Sequence, residues 1–426
     1  MGQGHQGLRG EGGLTRDSGI QKVDSPRALV IGGSVGGLFA ANLLRSIGWQ
    51  VRVFERAHGE LAGRGAGLAI HHELFSVMQR IGIRMAPSMS VEIRSRIALD
   101  RAGGVICEVP LRGTFSAWDR IYRALKTALP VECLCAGMQL ERFQQNERGV
   151  IAVFADGSLA HGELLIGADG VRSTVRRQLM PQLEPRYSGY VAWRGMVEEA
   201  DAPAAFQELI FNHMIFSFAD GEVAAAVPVA PDGAPRQDAR RCQFVWWRPV
   251  EPELALPLLC TDARGQQHGI SIAPPLIRPE LIVMLKQQAV SRLAPQLAAL
   301  VEGARQPMFH AVFDLESPSM VHGRVVLLGD AAFVARPHVG MGVTKAALDA
   351  QALAEALGAC AGDIGAALAQ YERARRPVGS ALVARGRRLG AYIDTQRRPK
   401  EGLAAILREW GAAGVIDGVT IGTASA

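Results

Sequence analysis

The stretch "LVIGGSVGGLFAANLLRSIGWQVRVFERA" (residues 29–57) reads as strand, turn, helix, strand. Arg27 to Ile31 is a short apolar run of the kind that forms a buried parallel strand. Leu38 to Ile47 carries apolar residues at helical spacing, Gly48 stops that helix, and Val51–Phe54 is a second strand ending in Glu55. An acid about 20 residues beyond a glycine-rich strand-to-helix turn is the dinucleotide-binding pattern. Gly32, Ser34 and Gly37 stand at its three key positions. The first makes the tight turn and the third lets helix pack on strand, while the middle one lets a pyrophosphate approach the helix N-terminus, where Val35 follows. Serine is the smallest replacement for the usual middle glycine and adds a hydroxyl donor. Glu55 is placed to accept from ribose hydroxyls. This pattern alone serves NAD and FAD equally.

Two later stretches have the same construction. "ELLIGADGVRSTVRRQL" (163–179) is an apolar strand ending at Asp169-Gly170, then a helix with Arg172, Arg176 and Arg177. "GRVVLLGDAAFVARPHVGMGVTKAALDAQALAEAL" (323–357) is a strand ending in Gly329-Asp330, a Pro-Gly loop and a long alanine-rich helix. Each strand delivers an acid at its C-terminal end, where ligands of doubly wound sheets sit. Gly340 and Gly342 precede a helix N-terminus that suits a flavin ring and the negative charge of its reduced form. Asp330 is placed for a polyol chain such as ribityl.

Composition fits an ordinary enzyme. The 426 residues suffice for two or three domains. The net charge of +5 is spread along the chain without a compact Lys/Arg block, which argues against a nucleic-acid surface and suits anionic small molecules. The six cysteines form no CxxC and show no zinc spacing, so reduced thiols and a cytoplasmic location are expected, with no metal. Residues 1–25 are polar and glycine-rich, lack the apolar core of a signal peptide, and read as a disordered extension. Apolar runs are broken by glycine or charge, so no membrane span is expected.

Residues 185–310 differ in texture. "FNHMIFSF", "EVAAAVPVA" and "RCQFVWWRPV" alternate apolar and polar residues, with turns at Asp220-Gly221 and Pro231-Asp232-Gly233. This predicts an antiparallel sheet that interrupts the nucleotide domain and roofs a pocket. Strand alternation puts Phe211, His213 and Ile215 on one face, and Asn212, Met214 and Phe216 on the other. The pattern leaves open which face meets the pocket. Phe211, His213 and Phe216 are therefore the substrate candidates. His213 is either a hydrogen-bonding partner for a ring or a structural histidine. His338, inside the Pro-Gly loop, is either a proton relay or a plain loop histidine. Residues 346–390 read as helical, and their Arg-rich end as a solvated or dimer-facing surface.

Together the three motifs resemble those of single-component FAD-dependent aromatic hydroxylases, the class of para-hydroxybenzoate hydroxylase. The resemblance runs from about residue 27 to about 390. The stretches "GGSVGGL", "SAWDRIYRAL", "YSGYVAWRG", "TDARG" and "MVHGRVVLLGDAAFVARPHVGMGVTKA" are most similar to the subgroup acting on 2,6-dihydroxypyridine. It implies an α/β fold: a discontinuous Rossmann-like FAD-binding domain (26–184 and 311–390), an antiparallel-sheet substrate domain (185–310) and a C-terminal helical tail (391–426). It implies cofactor contacts from Gly32, Ser34, Val35, Gly37, Glu55, Arg56, Ala66, Asp169, Asp330, Pro337, Gly340 and Gly342. Two positions depart from the family. Trp118 stands where many relatives place an arginine for FAD phosphate, with Arg64 as the candidate replacement, and Thr344 stands where an asparagine is usual.

The implied reaction is hydroxylation of a small activated aromatic ring with O2 and NADH or NADPH, through a flavin C4a-hydroperoxide, by a homodimer. His338 and His213 are the candidate catalytic residues. No second dinucleotide fold is present, so the pyridine nucleotide docks transiently. The competing readings are a halogenase-like flavoprotein and an FAD-binding protein without turnover. Against the first, Trp246-Trp247 are adjacent and followed by Arg248-Pro249, so the halogenase Trp-x-Trp-x-Ile-Pro signature is absent.

Overall fold

The computed structural model describes residues 25–61, 67–219, 221–230, 240–360, 362–395 and 403–409. The expected extension at 1–25, the contacts of Arg64 and Ala66, and the turn at Pro231-Asp232-Gly233 therefore fall outside the described residues, apart from Ser25.

Strand Arg27–Ile31 sits inside a six-stranded sheet, between Leu164–Gly167 and Gln50–Glu55, and is parallel to both. Helices cover both faces, which is why Ala28, Leu29, Val30 and Ile31 are all buried. Each fully buried Leu or Val there contributes about 1.5–3 kcal/mol. The helix after the turn runs Val35–Ser46, starting three residues earlier than the apolar spacing indicated. Strand Val325–Leu327 continues the sheet beside Leu164–Gly167. The three acid-ending strands thus run parallel in one sheet, with Arg27–Ile31 between Gln50–Glu55 and the other two.

The second layer is an eight-stranded sheet built around Arg186–Glu198, Arg241–Pro249, Glu222–Val229 and His213–Ala219. It extends beyond both limits expected for it. Ser95–Leu99 pairs in parallel with His213–Ala219, Val105–Val109 follows it, and Met308–Glu316 joins at the other side. Along Arg186–Glu198 the alternation is clean. Val191, Trp193 and Val197 face helices Pro279–Arg292 and Pro295–Gly303, whereas Tyr190 and Ala192 face the opposite way, toward the nucleotide domain.

One local expectation fails, and a second is refined. "FNHMIFSF" is not one strand: helix Ala204–Asn212 ends inside it and the strand begins at His213. The helical region 346–390 is two helices, Gly342–Ala359 and Ile364–Thr395. The break is fixed by Asp363, whose carboxylate accepts from the Ala366 amide at 2.9 Å.

Candidate functional site

At the C-terminal ends of the parallel strands lies a groove of about 500 Å³. Its turn is enforced by backbone geometry. Gly32 has φ +109°, and a Cβ there would sit 2.4 Å from the Ala168 carbonyl. A Cβ on Gly37 would lie 1.9 Å from the Gly32 carbonyl, so only glycine lets the helix come this close. The Glu55 carboxylate accepts from the Gly33 and Ala57 amides at 2.8 Å each, which aims it along the groove. The first helical bond runs from the Leu38 amide to the Ser34 carbonyl, and Ser34, Val35 and Gly36 line the groove ahead of it. The Ser34 side chain makes no capping hydrogen bond. Arg56, Arg172 and Arg177 supply positive charge.

Asp169 lines the groove, but its carboxylate is engaged elsewhere. It accepts from the Ser173 hydroxyl at 2.5 Å and the Thr174 and Val175 amides at 2.7 and 3.2 Å, capping helix Thr174–Leu179. Burial raises its pKa, and these hydrogen bonds oppose the rise. The carboxylate that the sequence assigns to the cofactor thus also caps a helix. Arg176 is fully buried and bonds the carbonyls of Ala331 and Val171 at 3.1 and 2.6 Å, tying the second motif to the third.

Beyond Asp330 the groove opens into a cavity of about 470 Å³, and the two share Trp118, Asp330, Gly342 and Val343. The Asp330 side chain is 49% accessible, yet protein surrounds it so closely that burial is the main influence raising its pKa. Both hold because it faces an internal space. Lys345, 2% exposed, sits 3.9 Å from Asp330 and 3.8 Å from Asp349. Asp349 in turn accepts from the Gly329 amide at 3.2 Å and from Arg375 at 2.7 Å, which fixes the turn that presents Asp330. Gly340 has φ +67°, and a Cβ on Gly342 would meet nothing within 4 Å. A flat ring can therefore lie against the start of helix Gly342–Ala359. Thr344 hydrogen-bonds His71 at 2.8 Å, and burial lowers the His71 pKa to about 4.

The cavity floor is mainly apolar, with Phe115, Met214, Val245 and Trp247 prominent. Its polar groups come from three distant segments. Tyr190 and His338 are buried together, the phenol oxygen 2.7 Å from Nε2. Burial, followed by the charges of Arg336 and Arg194, holds the His338 pKa down to about 3, so the imidazole is neutral at physiological pH. Arg336 makes hydrogen bonds of 3.0–3.2 Å to Asp314. Arg194 lies 3.3 Å from His310.

His338, Pro337, Gly340 and Gly342 thus meet at one cavity, whereas the three candidates from "FNHMIFSF" do not. Phe211 ends the helix Ala204–Asn212 and is buried on the far side of the sheet, under the Arg240 guanidinium. His213 sits at the start of its strand, 2.7 Å from the Ser95 hydroxyl, outside the cavity lining. Phe216 points toward the cavity side but packs against its neighbours there, and Met214 reaches the cavity instead. Helix placement of Phe211 and the strand start at His213 are the cause. Arg194, Tyr190, His310 and Lys345 were missed. The available signal was a charge at alternate spacing within the apolar strand "YSGYVAWRG".

Family models described as FAD binding domain-like and FAD binding domain match residues 187–314 and 313–386. The chain is 32% identical to 2,6-dihydroxypyridine 3-monooxygenase of Paenarthrobacter nicotinovorans, over 77% of this chain and 82% of that protein. The solved 2,6-dihydroxypyridine-3-hydroxylase from Arthrobacter nicotinovorans superposes with TM-score 0.84 at 30% identity, covering 90% of this chain and 96% of the other. Klebsiella pneumoniae HpxO complexed with FAD and uric acid gives TM-score 0.71 at 25% identity, covering 92% and 95%.

Proposed function

The chain belongs to the FAD-binding monooxygenases that hydroxylate aromatic and heteroaromatic rings, and on that premise we propose a hydroxypyridine-like ring as its substrate, oxidised with O2 and NADH or NADPH. The hydroxylase reading is favoured over a halogenase or a flavoprotein without turnover. The observation that carries the proposal is the continuity of the dinucleotide groove with a mostly apolar cavity through Asp330 and Gly342. A volume of about 470 Å³ suits a small planar ring beside a flavin.

Glu55 would hold the adenosine ribose, Ser34, Val35, Gly36 and Arg56 the pyrophosphate, and Asp330 with Lys345 the ribityl chain, while Gly340 and Gly342 would leave room for the flat ring. A bound FAD would supply hydride acceptance from the pyridine nucleotide and transfer of one oxygen atom of O2 to the ring, the other leaving as water. The protein supplies orientation, a dry cavity and proton movement. Trp247, its ring 4.8 Å from that of His338, and Phe115 exclude water. His338 stays neutral and its Nε2 lies 2.7 Å from the Tyr190 hydroxyl, so the pair can pass outward the proton that the substrate hydroxyl releases when it ionises on binding.

The enzyme works as a homodimer in the cytoplasm. Six free thiols support the reducing compartment, and exposed Leu254, Leu258, Leu276, Val283, Met284 and Val290 support a covered face. No helix among the described residues is long and apolar enough to cross a membrane. The test is a screen of hydroxypyridines and phenols for stimulated NAD(P)H oxidation, with product mass and light scattering. A ring-derived product heavier by one oxygen supports the reading; oxidation unaffected by every ring overturns it.

A further inference from the structure

The positive groups facing the cavity fall into two sets. Arg336 is neutralised by Asp314, and Lys345 by Asp330 and Asp349. His338 and His310 are neutral, each pushed down by burial first and then by neighbouring arginine charge. Arg194 remains. No carboxylate lies within ion-pair distance of it among the described residues, and its Nε has no hydrogen-bond partner there. Burial lowers its pKa to about 10, which still leaves it charged at neutral pH. Its one side-chain partner is His310 Nε2, which accepts from Nη2 at 3.3 Å and is thereby fixed as the unprotonated nitrogen.

A buried guanidinium without a counter-ion is costly. The fold retains it on the strand Arg186–Glu198, where it lines the cavity beside Met214 and Gln243. Aspartate or glutamate at a neighbouring cavity position would satisfy it, and Val245 and Ala311 are there instead.

We propose that Arg194 is the specificity residue for a substrate bound as an anion, with a negatively charged ring oxygen or ring carboxylate completing the pair that the protein leaves open. His310 positions the guanidinium, since it accepts one Arg194 N–H and turns the rest of the fork toward the ring. Holding the ring as its anion also supplies the electron-rich form that oxygen transfer requires. This inference rests on the monooxygenase reading.

The test uses the FAD-loaded enzyme with 4-nitrophenol, whose yellow phenolate reports its own ionisation. Titrations run from pH 6 to 9 on the wild type, Arg194→Met and Arg194→Lys. The expected wild-type result is binding of the phenolate with the probe ionised below its solution pKa. Arg194→Met weakens phenolate binding about ten- to a hundredfold and abolishes that shift, and Arg194→Lys restores part of both. The other groups facing the cavity, His310, His338, Arg336, Lys345 and Asp330, are unchanged in these variants. Competition by 4-nitrobenzoate distinguishes a carboxylate from a ring oxygen as the preferred anion. Phenolate affinity within twofold of wild type in Arg194→Met overturns the proposal. So does wild-type binding of neutral 4-nitroanisole as tight as that of 4-nitrophenol, or a shift in flavin potential with ring binding unchanged. FAD retention and ring-stimulated NAD(P)H oxidation are measured on the same wild-type sample. Their loss sinks the family reading, whereas their persistence with any overturning result sinks only the role of Arg194.

Discussion

The dinucleotide groove takes its shape from backbone, whereas the cavity beside it takes its shape from side chains brought together across a sheet. In the groove, Gly32, Gly37 and Glu55 lie within one short segment, and their geometry follows from missing Cβ atoms and backbone amides. Around the cavity, Tyr190, Arg194, His310 and His338 come from three segments brought together by strand pairing and by the Tyr190–His338 and Arg194–His310 contacts. The groove is therefore intolerant of added atoms, and the cavity is sensitive to charge and protonation.

Added volume in the groove has the largest expected effect. Gly37→Val places a branched side chain against the Gly32 carbonyl and should cost about 3 kcal/mol or more. Thermal unfolding of the apo-protein measures it. A loss under about 1 kcal/mol would show that helix Val35–Ser46 can move away from its strand, and the contrast would collapse.

Protonation should act mainly through the cavity. Burial holds the folded pKa values of His338 and His71 down to about 3 and 4, below the ordinary histidine value of about 6.5. Between these values the unfolded chain binds protons that the native state refuses, so stability falls as pH drops below 6.5. Each histidine contributes a slope of up to about 1.4 kcal/mol per pH unit until its folded pKa is reached. Unfolding profiles from pH 7 to 4 for the wild type and His338→Gln should diverge, with the variant flatter. Parallel profiles would mean that His338 takes up a proton in the fold.

At the ligand end of the groove, Glu55→Ala should weaken FAD binding about ten- to a hundredfold, as loss of hydrogen bonds to a charged acceptor predicts. Unchanged affinity in a fluorescence titration would remove Glu55 from the ribose. On the cavity side, Tyr190→Phe deletes the hydroxyl beside His338. It should lower kcat about tenfold with FAD retention intact and displace the pH profile of kcat, the mark of a proton path rather than a packing defect. A change in KM alone would assign Tyr190 to binding.

The smallest effect is expected at a residue that the alternation pattern made a substrate candidate. His213→Ala removes a half-buried side chain at the start of its strand, bonded to Ser95. Stability should change by about 0.5 kcal/mol or less and kcat should not move. A large drop in kcat would bring His213 back to the chemistry and enlarge the cavity's catalytic set.

The sequence by itself determined the turn at 32–37, the acid at 55 and the strand-end placement of Asp169 and Asp330. These depend on interactions within a few residues or on one strand-turn-helix unit. Even there it did not reveal that the Asp169 carboxylate is occupied in capping Thr174–Leu179, because a cap and a ligand draw on the same acid. Only the tertiary structure decided what lines the cavity. It ended a helix at Asn212, which moved Phe211 to the far face and left His213 at the start of the strand, outside the cavity lining. It also set Arg194 beside His310, Tyr190 beside His338 and Asp314 against Arg336. Those neighbours are up to 148 positions apart in the chain. Their meeting depends on strand register and burial, and no local pattern of residues encodes either.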